Sequence, residues 1–107
     1  MNFIKNNEQF ESEVINSDKP VLVGFYADWC GPCQEFAPVF ESVSKKAGKL
    51  VKSVKINVDD CGDIANDNSI ESIPSMLIYK NGEVLSHMGN AAPEEDVLNW
   101  ILETFTE

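Results

Sequence analysis

The chain has 107 residues, of which 43% are hydrophobic and 24% charged. That length makes one domain over residues 1–107, with enough core to fold without metal or disulfide staples. A formal net charge of −10 argues against nucleic acid or an anionic membrane as partner, and an odd count of three cysteines argues against a pure disulfide scaffold.

No stretch approaches the roughly 18 apolar residues that span a bilayer, and Met1 to Glu8 contain no apolar signal segment. The expected location is therefore cytoplasmic, where thiols stay reduced.

Phe3 and Ile4 open a short edge strand. Glu8 to Asn16 carries Phe10, Val14 and Ile15 at a spacing that suits a short amphipathic helix, broken by Asp18-Lys19-Pro20. Val21 to Ala27 is apolar throughout, which is the pattern of a strand buried on both faces of a parallel sheet. A longer helix is expected from about Cys30 to Lys46. Its core stripe is Cys33, Phe36, Ala37, Phe40, Val43, Ser44 and Ala47, with a kink at Pro38 and Gly48 as C-cap.

Val51 to Val58 alternates and reads as a strand with one buried face. Cys61 to Asn68 is a short polar helix or turn. Ser75 to Lys80, Asn81-Gly82 and Glu83 to Met88 form a β-hairpin, because Asn-Gly is the strongest short hairpin signal. Pro93-Glu94-Glu95-Asp96 opens a last helix with apolar positions Val97, Trp100, Ile101 and Phe105. The order β-α-β-α-β-α-β-β-α implies an α/β fold, with one mixed sheet and helices on both faces.

Chemistry concentrates in Trp29-Cys30-Gly31-Pro32-Cys33, between the buried strand and the long helix. Two cysteines three apart at a helix N-terminus lie on one face of its first turn and can close a small disulfide. The helix dipole and unpaired N–H groups favour a thiolate at Cys30, the nucleophile of thiol–disulfide exchange. Cys33, one turn further and expected to be more buried, is placed to attack the mixed disulfide that Cys30 forms. Pro32 fixes the first turn, and Gly31 leaves room for another chain. Half a zinc site and an inert pair are the competing readings. Zinc needs four ligands, and Cys61 and His87 form no second knuckle, so no metal is expected.

With these residues in place, the chain resembles the thioredoxin family from about Phe3 to Phe105. The likeness rests on Val21 to Cys33, Ala37-Pro38, Lys55 to Asp59, Ser72-Ile73-Pro74-Ser75 and Tyr79 to Glu83. It implies the thioredoxin fold, a central mixed five-stranded sheet flanked by about four helices. It also implies a protein-disulfide reductase and electron carrier in which Cys30 attacks and Cys33 resolves. Electrons would come from NADPH through a thioredoxin reductase, with no cofactor bound to this chain, a monomer. Its other partners would be disulfide-containing proteins.

By the same resemblance Pro74 is a cis-proline facing the cysteines, and Ile73 offers its backbone to an extended target segment. Trp29, Gly31, Pro32, Val58, Ile73 and Gly89 would form an apolar rim for varied partners. Two other classes compete: a disulfide oxidant or isomerase, and a binding subunit that uses the fold as a scaffold.

The chain also departs from the family. Gly24 stands where a buried Asp, proton acceptor for the resolving cysteine, is usual. A glycine there leaves a gap for water or a neighbouring side chain, and predicts a higher pKa for Cys33 and slower exchange unless another group substitutes. Lys55 matches a family lysine near that acid, and either approaches the cysteines or reaches solvent. Gln34 replaces a common cation, Asp28 adds a nearby anion, and Gly82 to Gly89 is about one residue short. Cys61 reads as a half-buried or exposed structural thiol made sluggish by flanking acids, with a regulatory cysteine that is glutathionylated or joins two monomers as the competing reading. His87 reads as a surface strand residue and Trp100 as core packing.

Overall fold

The computed structural model describes residues 2–106. Strand β1 (Asn2–Ile4) leads into α1 (Asn7–Phe10), whose N-cap Asn6 accepts the Gln9 N–H. The chain then widens into a π-helical turn, Glu11–Ile15, closed by the Asn16 N–H donating to the Glu11 carbonyl over 2.9 Å. The expected single α-helix from Glu8 to Asn16 is thus two geometries. Both Val14 and Ile15 pack onto the core from the wider turn.

Strand β2 (Val21–Tyr26) is central, and its first five residues are buried. It pairs with β3 (Lys52–Asn57) in parallel and with β4 (Ser75–Lys80) in antiparallel register. The sheet order is β1-β3-β2-β4-β5, with β5 (Glu83–Met88) on one edge and β1 on the other. The mixed five-stranded sheet expected from the element order is present. Asn81 and Gly82 both take positive φ, at 54° and 79°, as a tight hairpin turn requires.

Helices α2 (Gly31–Lys46) and α4 (Glu94–Phe105) cover one face through Phe36, Phe40, Val43, Val97 and Ile101. Helix α3 (Gly62–Asp67) and the α1 segment cover the other, against Val21, Val23, Phe25, Val54 and Ile56. Burying each such side chain contributes about 1.5–3 kcal/mol, so the two cores anchor the sheet between them. Helix α2 continues through Pro38, which is exposed, and ends at Ala47. Gly48 follows that cap without the left-handed conformation of a C-cap glycine, because the Ala47 and Gly48 N–H groups bond back to Val43 and Lys45. No helix among the described residues is long and apolar enough to cross a membrane.

Candidate active site

The sulfurs sit where β2 ends and α2 begins. Ala27, still buried though past the end of β2, accepts the Cys30 N–H over 3.3 Å and turns the chain. Cys30 is the N-cap of α2 rather than its first residue, and Gly31 and Pro32 are the exposed first turn. Cys30 and Cys33 are joined as a disulfide, with Cα atoms 5.2 Å apart. The Cys33 N–H donates to Cys30 Sγ over 3.2 Å, so the sulfur itself caps the helix. Such a donor favours a thiolate once the disulfide opens.

The expected difference in burial between the two cysteines is absent, since each is only 5% exposed. Cys30 is covered because capping turns its sulfur inward, against Ala27, Val58 and Ile73. The Ile73 carbonyl oxygen lies 3.8 Å from Cys30 Sγ. The Ile73–Pro74 peptide bond is cis, and Pro74 is buried at the head of β4.

Trp29 is 70% exposed and is held at the rim by its Nε1, which donates to Asp59 Oδ2 over 2.8 Å. Trp29, Val58 and Ile73 line a groove of about 280 Å3 beside the disulfide, and Ala65, Ile70 and Glu71 are among the other residues of its wall. Gly89 does not line that groove. Its carbonyl accepts from Ser72 Oγ at 3.1 Å and Ser75 Oγ at 3.4 Å, which ties the β5 exit to the Ile73–Pro74 segment from behind. Gln34 Nε2 donates to the Asp28 carbonyl over 2.7 Å and braces the loop before the cysteines.

The gap expected at Gly24 is largely taken by a neighbouring side chain. A Cβ added there would lie 2.8 Å from Phe40 Cε1 and 2.9 Å from Cζ, so the aromatic ring occupies the space of a side chain at residue 24. Lys55 is the cross-strand partner of Gly24. It is half-buried beside an open groove, and no carboxylate among the described residues forms an ion pair with it. Its Nζ lies 4.4 Å from the Tyr26 ring centroid and 5.8 Å from that of Phe40. Burial lowers its pKa, partly offset by the fields of Glu41 and Asp28. Burial also raises the Tyr26 hydroxyl, with Asp28 adding to the effect.

Cys61 is buried, against the expectation of a half-buried or exposed thiol. Its Sγ lies 3.7 Å from the Ile4 carbonyl, because the loop before α3 folds onto β1. Burial is the first cause of its raised pKa, and Asp60 comes second. His87 is exposed on β5, and Trp100 is half-buried with its Nε1 donating to Ser86 Oγ over 2.7 Å.

Phe40, Tyr26 and Phe3 around Lys55 are contributors that the sequence pattern did not assign to the site, and Asp59, expected near the thiols, proves to hold Trp29. Phe40 had a signal, its place on the α2 core stripe beside a glycine strand.

A sequence model of the family described as Thioredoxin matches residues 2–103. Thioredoxin of Haemophilus influenzae is 42% identical over 96 residues, covering 90% of each chain. Thioredoxin C-2 of Corynebacterium nephridii is 40% identical over 95 residues, covering 89% of this chain and 88% of that one. Thioredoxin of Porphyra purpurea is 44% identical over 93 residues, covering 84% and 87%.

Proposed function

The chain belongs to the thioredoxin family, and from that premise we propose that it reduces disulfides in other proteins. One observation carries the reading: a Cys30–Cys33 disulfide at the cap of α2, with the Cys33 N–H on Cys30 Sγ.

In the reduced form Cys30 attacks a target disulfide, and the electron pair of the broken bond leaves on the target's second sulfur. Cys33 then attacks Cys30 Sγ, releases the first target sulfur and restores the internal disulfide. The target gains two electrons and the dithiol loses them. An extended target segment lies along Ile73, whose carbonyl is already beside Cys30 Sγ. The groove of Trp29, Val58 and Ile73 takes its apolar side chains. Gly31 and Pro32 keep the approach open, and Gly89 supports the Ile73–Pro74 segment rather than touching the target.

Electrons are supplied by NADPH through a thioredoxin reductase, so the chain is a carrier in the cytoplasm that needs no bound cofactor of its own. It works as a monomer. NADPH-coupled reduction of insulin with a panel of thioredoxin reductases tests this. At least one reductase is expected to support turnover that Cys30→Ser abolishes. Turnover that survives Cys30→Ser, or none with any reductase or with chemical dithiols, overturns the reading.

A further inference from the structure

Lys55 is a half-buried charge that makes no close ion pair among the described residues, although Glu41 and Asp28 act on it from further away. The ion pairs among the described residues join Lys46 to Glu94 and Lys52 to Glu13. Its Nζ stands instead among three rings, 4.4 Å from the centroid of Tyr26, 5.8 Å from Phe40 and 6.0 Å from Phe3. Ring faces at these distances hold a cation in place. They do not neutralise it, and a desolvated charge left unpaired is costly.

Two spaces meet at this side chain. Outside is an open groove of about 280 Å3, where Glu41 and Lys45 of α2 are the other charged groups. Inside is a cavity of about 10 Å3 bounded by Gly24, Cys33, Phe36, Phe40, Lys55 and Ser75. That volume is about one water molecule. The titratable groups on its wall are Cys33, Lys55 and Tyr26, and Asp28 acts on Lys55 from the loop after β2. Even the first carbon of a side chain at residue 24 would collide with the ring of Phe40. Burial raises Tyr26 from its ordinary 10.0, so the anion this cavity can present to the cation near neutral pH is an ionised Cys33.

We infer that Lys55 is the counter-cation of the Cys33 thiolate and promotes the resolving step. The inference rests on the disulfide-reductase reading. In that step the Cys33 proton passes to a water entering the cavity, which has room for one, and on to solvent past Lys55, which stays protonated. The thiolate attacks Cys30 Sγ, the bond from Cys30 to the target sulfur breaks, and the internal disulfide forms. The target sulfur leaves with the electron pair and takes a proton from water. A cation beside a thiol stabilises its thiolate, so the sign is opposite to the higher Cys33 pKa expected from an empty Gly24 site.

Lys55→Met removes the charge at nearly constant length, and Lys55→Arg keeps it. The three thiols of the reduced full chain are followed separately by NMR with 13Cβ-labelled cysteine. Lys55→Met is expected to raise the Cys33 midpoint by about one unit and to slow target release from a preformed Cys30 mixed disulfide about tenfold. The alkylation rate of Cys30 should stay within about threefold, and Lys55→Arg should restore both Cys33 quantities. A Cys33 midpoint unchanged in Lys55→Met overturns the inference. So does equal loss in Lys55→Arg, which would make the role one of packing. If the unsubstituted chain reduces no protein disulfide, the reductase reading fails, and the Cys33 midpoint still decides whether Lys55 acts on that thiol.

Discussion

Alanine at residue 24 should destabilise this protein, although glycine in a strand interior is normally the weaker choice. Replacing glycine at an unstrained position stabilises by about 0.4–1 kcal/mol through the unfolded chain. Here the new Cβ meets Phe40 at 2.8 and 2.9 Å, closer than carbon atoms approach. The ring is only 2% exposed and is backed by Phe36 at 6.4 Å between centroids, so it cannot swing into solvent. Overpacking of this kind costs about 1–3 kcal/mol. The difference is a net loss of about 0.5–2 kcal/mol, or roughly 2–8 °C in Tm for a chain of this size.

Phe40→Leu removes the two clashing ring atoms and is milder than truncation to alanine, which costs about 3–5 kcal/mol. In that background Gly24→Ala should gain stability, reversing its sign. Urea melts and calorimetry of the parent, both single variants and the double variant give the cycle. A rise in Tm for Gly24→Ala with Phe40 intact refutes the steric argument. Single effects that add to within about 0.5 kcal/mol refute it equally.

Cys33→Ser should leave Cys30 reactive but unable to release its target, so a mixed disulfide accumulates on non-reducing gels and turnover falls at least about 100-fold. Stability should decline on the alkaline side. Cys61, with an ordinary value of 9.0, is raised by burial, as are Tyr26 and Tyr79 from 10.0. A raised folded value gives stability that is complete below the unfolded value and is lost as pH rises through the folded one. The cost carried by Lys55 has the opposite sign and fades with rising pH. Urea midpoints between pH 7 and 11 should therefore begin to fall near pH 9 in the parent and later in Cys61→Ala. Asp59→Ala should free the exposed indole of Trp29, lowering its fluorescence anisotropy in a Trp100→Phe background while costing under about 1.5 kcal/mol. Gly82→Ala should cost about 1–2 kcal/mol, because φ of +79° at the hairpin turn disfavours a side chain.

Local signals reached the elements whose residues declare their own geometry. The apolar run of Val21 to Phe25 identified a central strand, and Asn81-Gly82 identified the hairpin. Cys30 and Cys33 were legible because spacing and a helix start are both written in the chain. The π-helical turn at Glu11–Ile15 was not, since its apolar spacing also fits an α-helix. The burial of Cys61 depends on β1, which is 57 residues away from it at Ile4. The fate of Gly24 was the hardest to read. A missing side chain says nothing about what fills its volume, and Phe40 reaches it across the sheet–helix interface. The tie from Gly89 to Ser72 and Ser75 likewise depends on hairpin register rather than on local pattern.

The sheet separates two cores, and the reaction centre draws on both. The cysteines are carried by α2, whose Phe36 and Phe40 are seated on one face, while Ile73 and Val58 pack against the core of the other. The thiols and the proposed docking rail are thus mounted on different foundations that meet at the end of β2. An engineer could retune the nucleophile from the α2 side and leave the docking rail in place, or reshape the rail through α3 and keep the thiol chemistry. Substitutions on opposite faces of the sheet become separate controls over how fast the protein reacts and with whom.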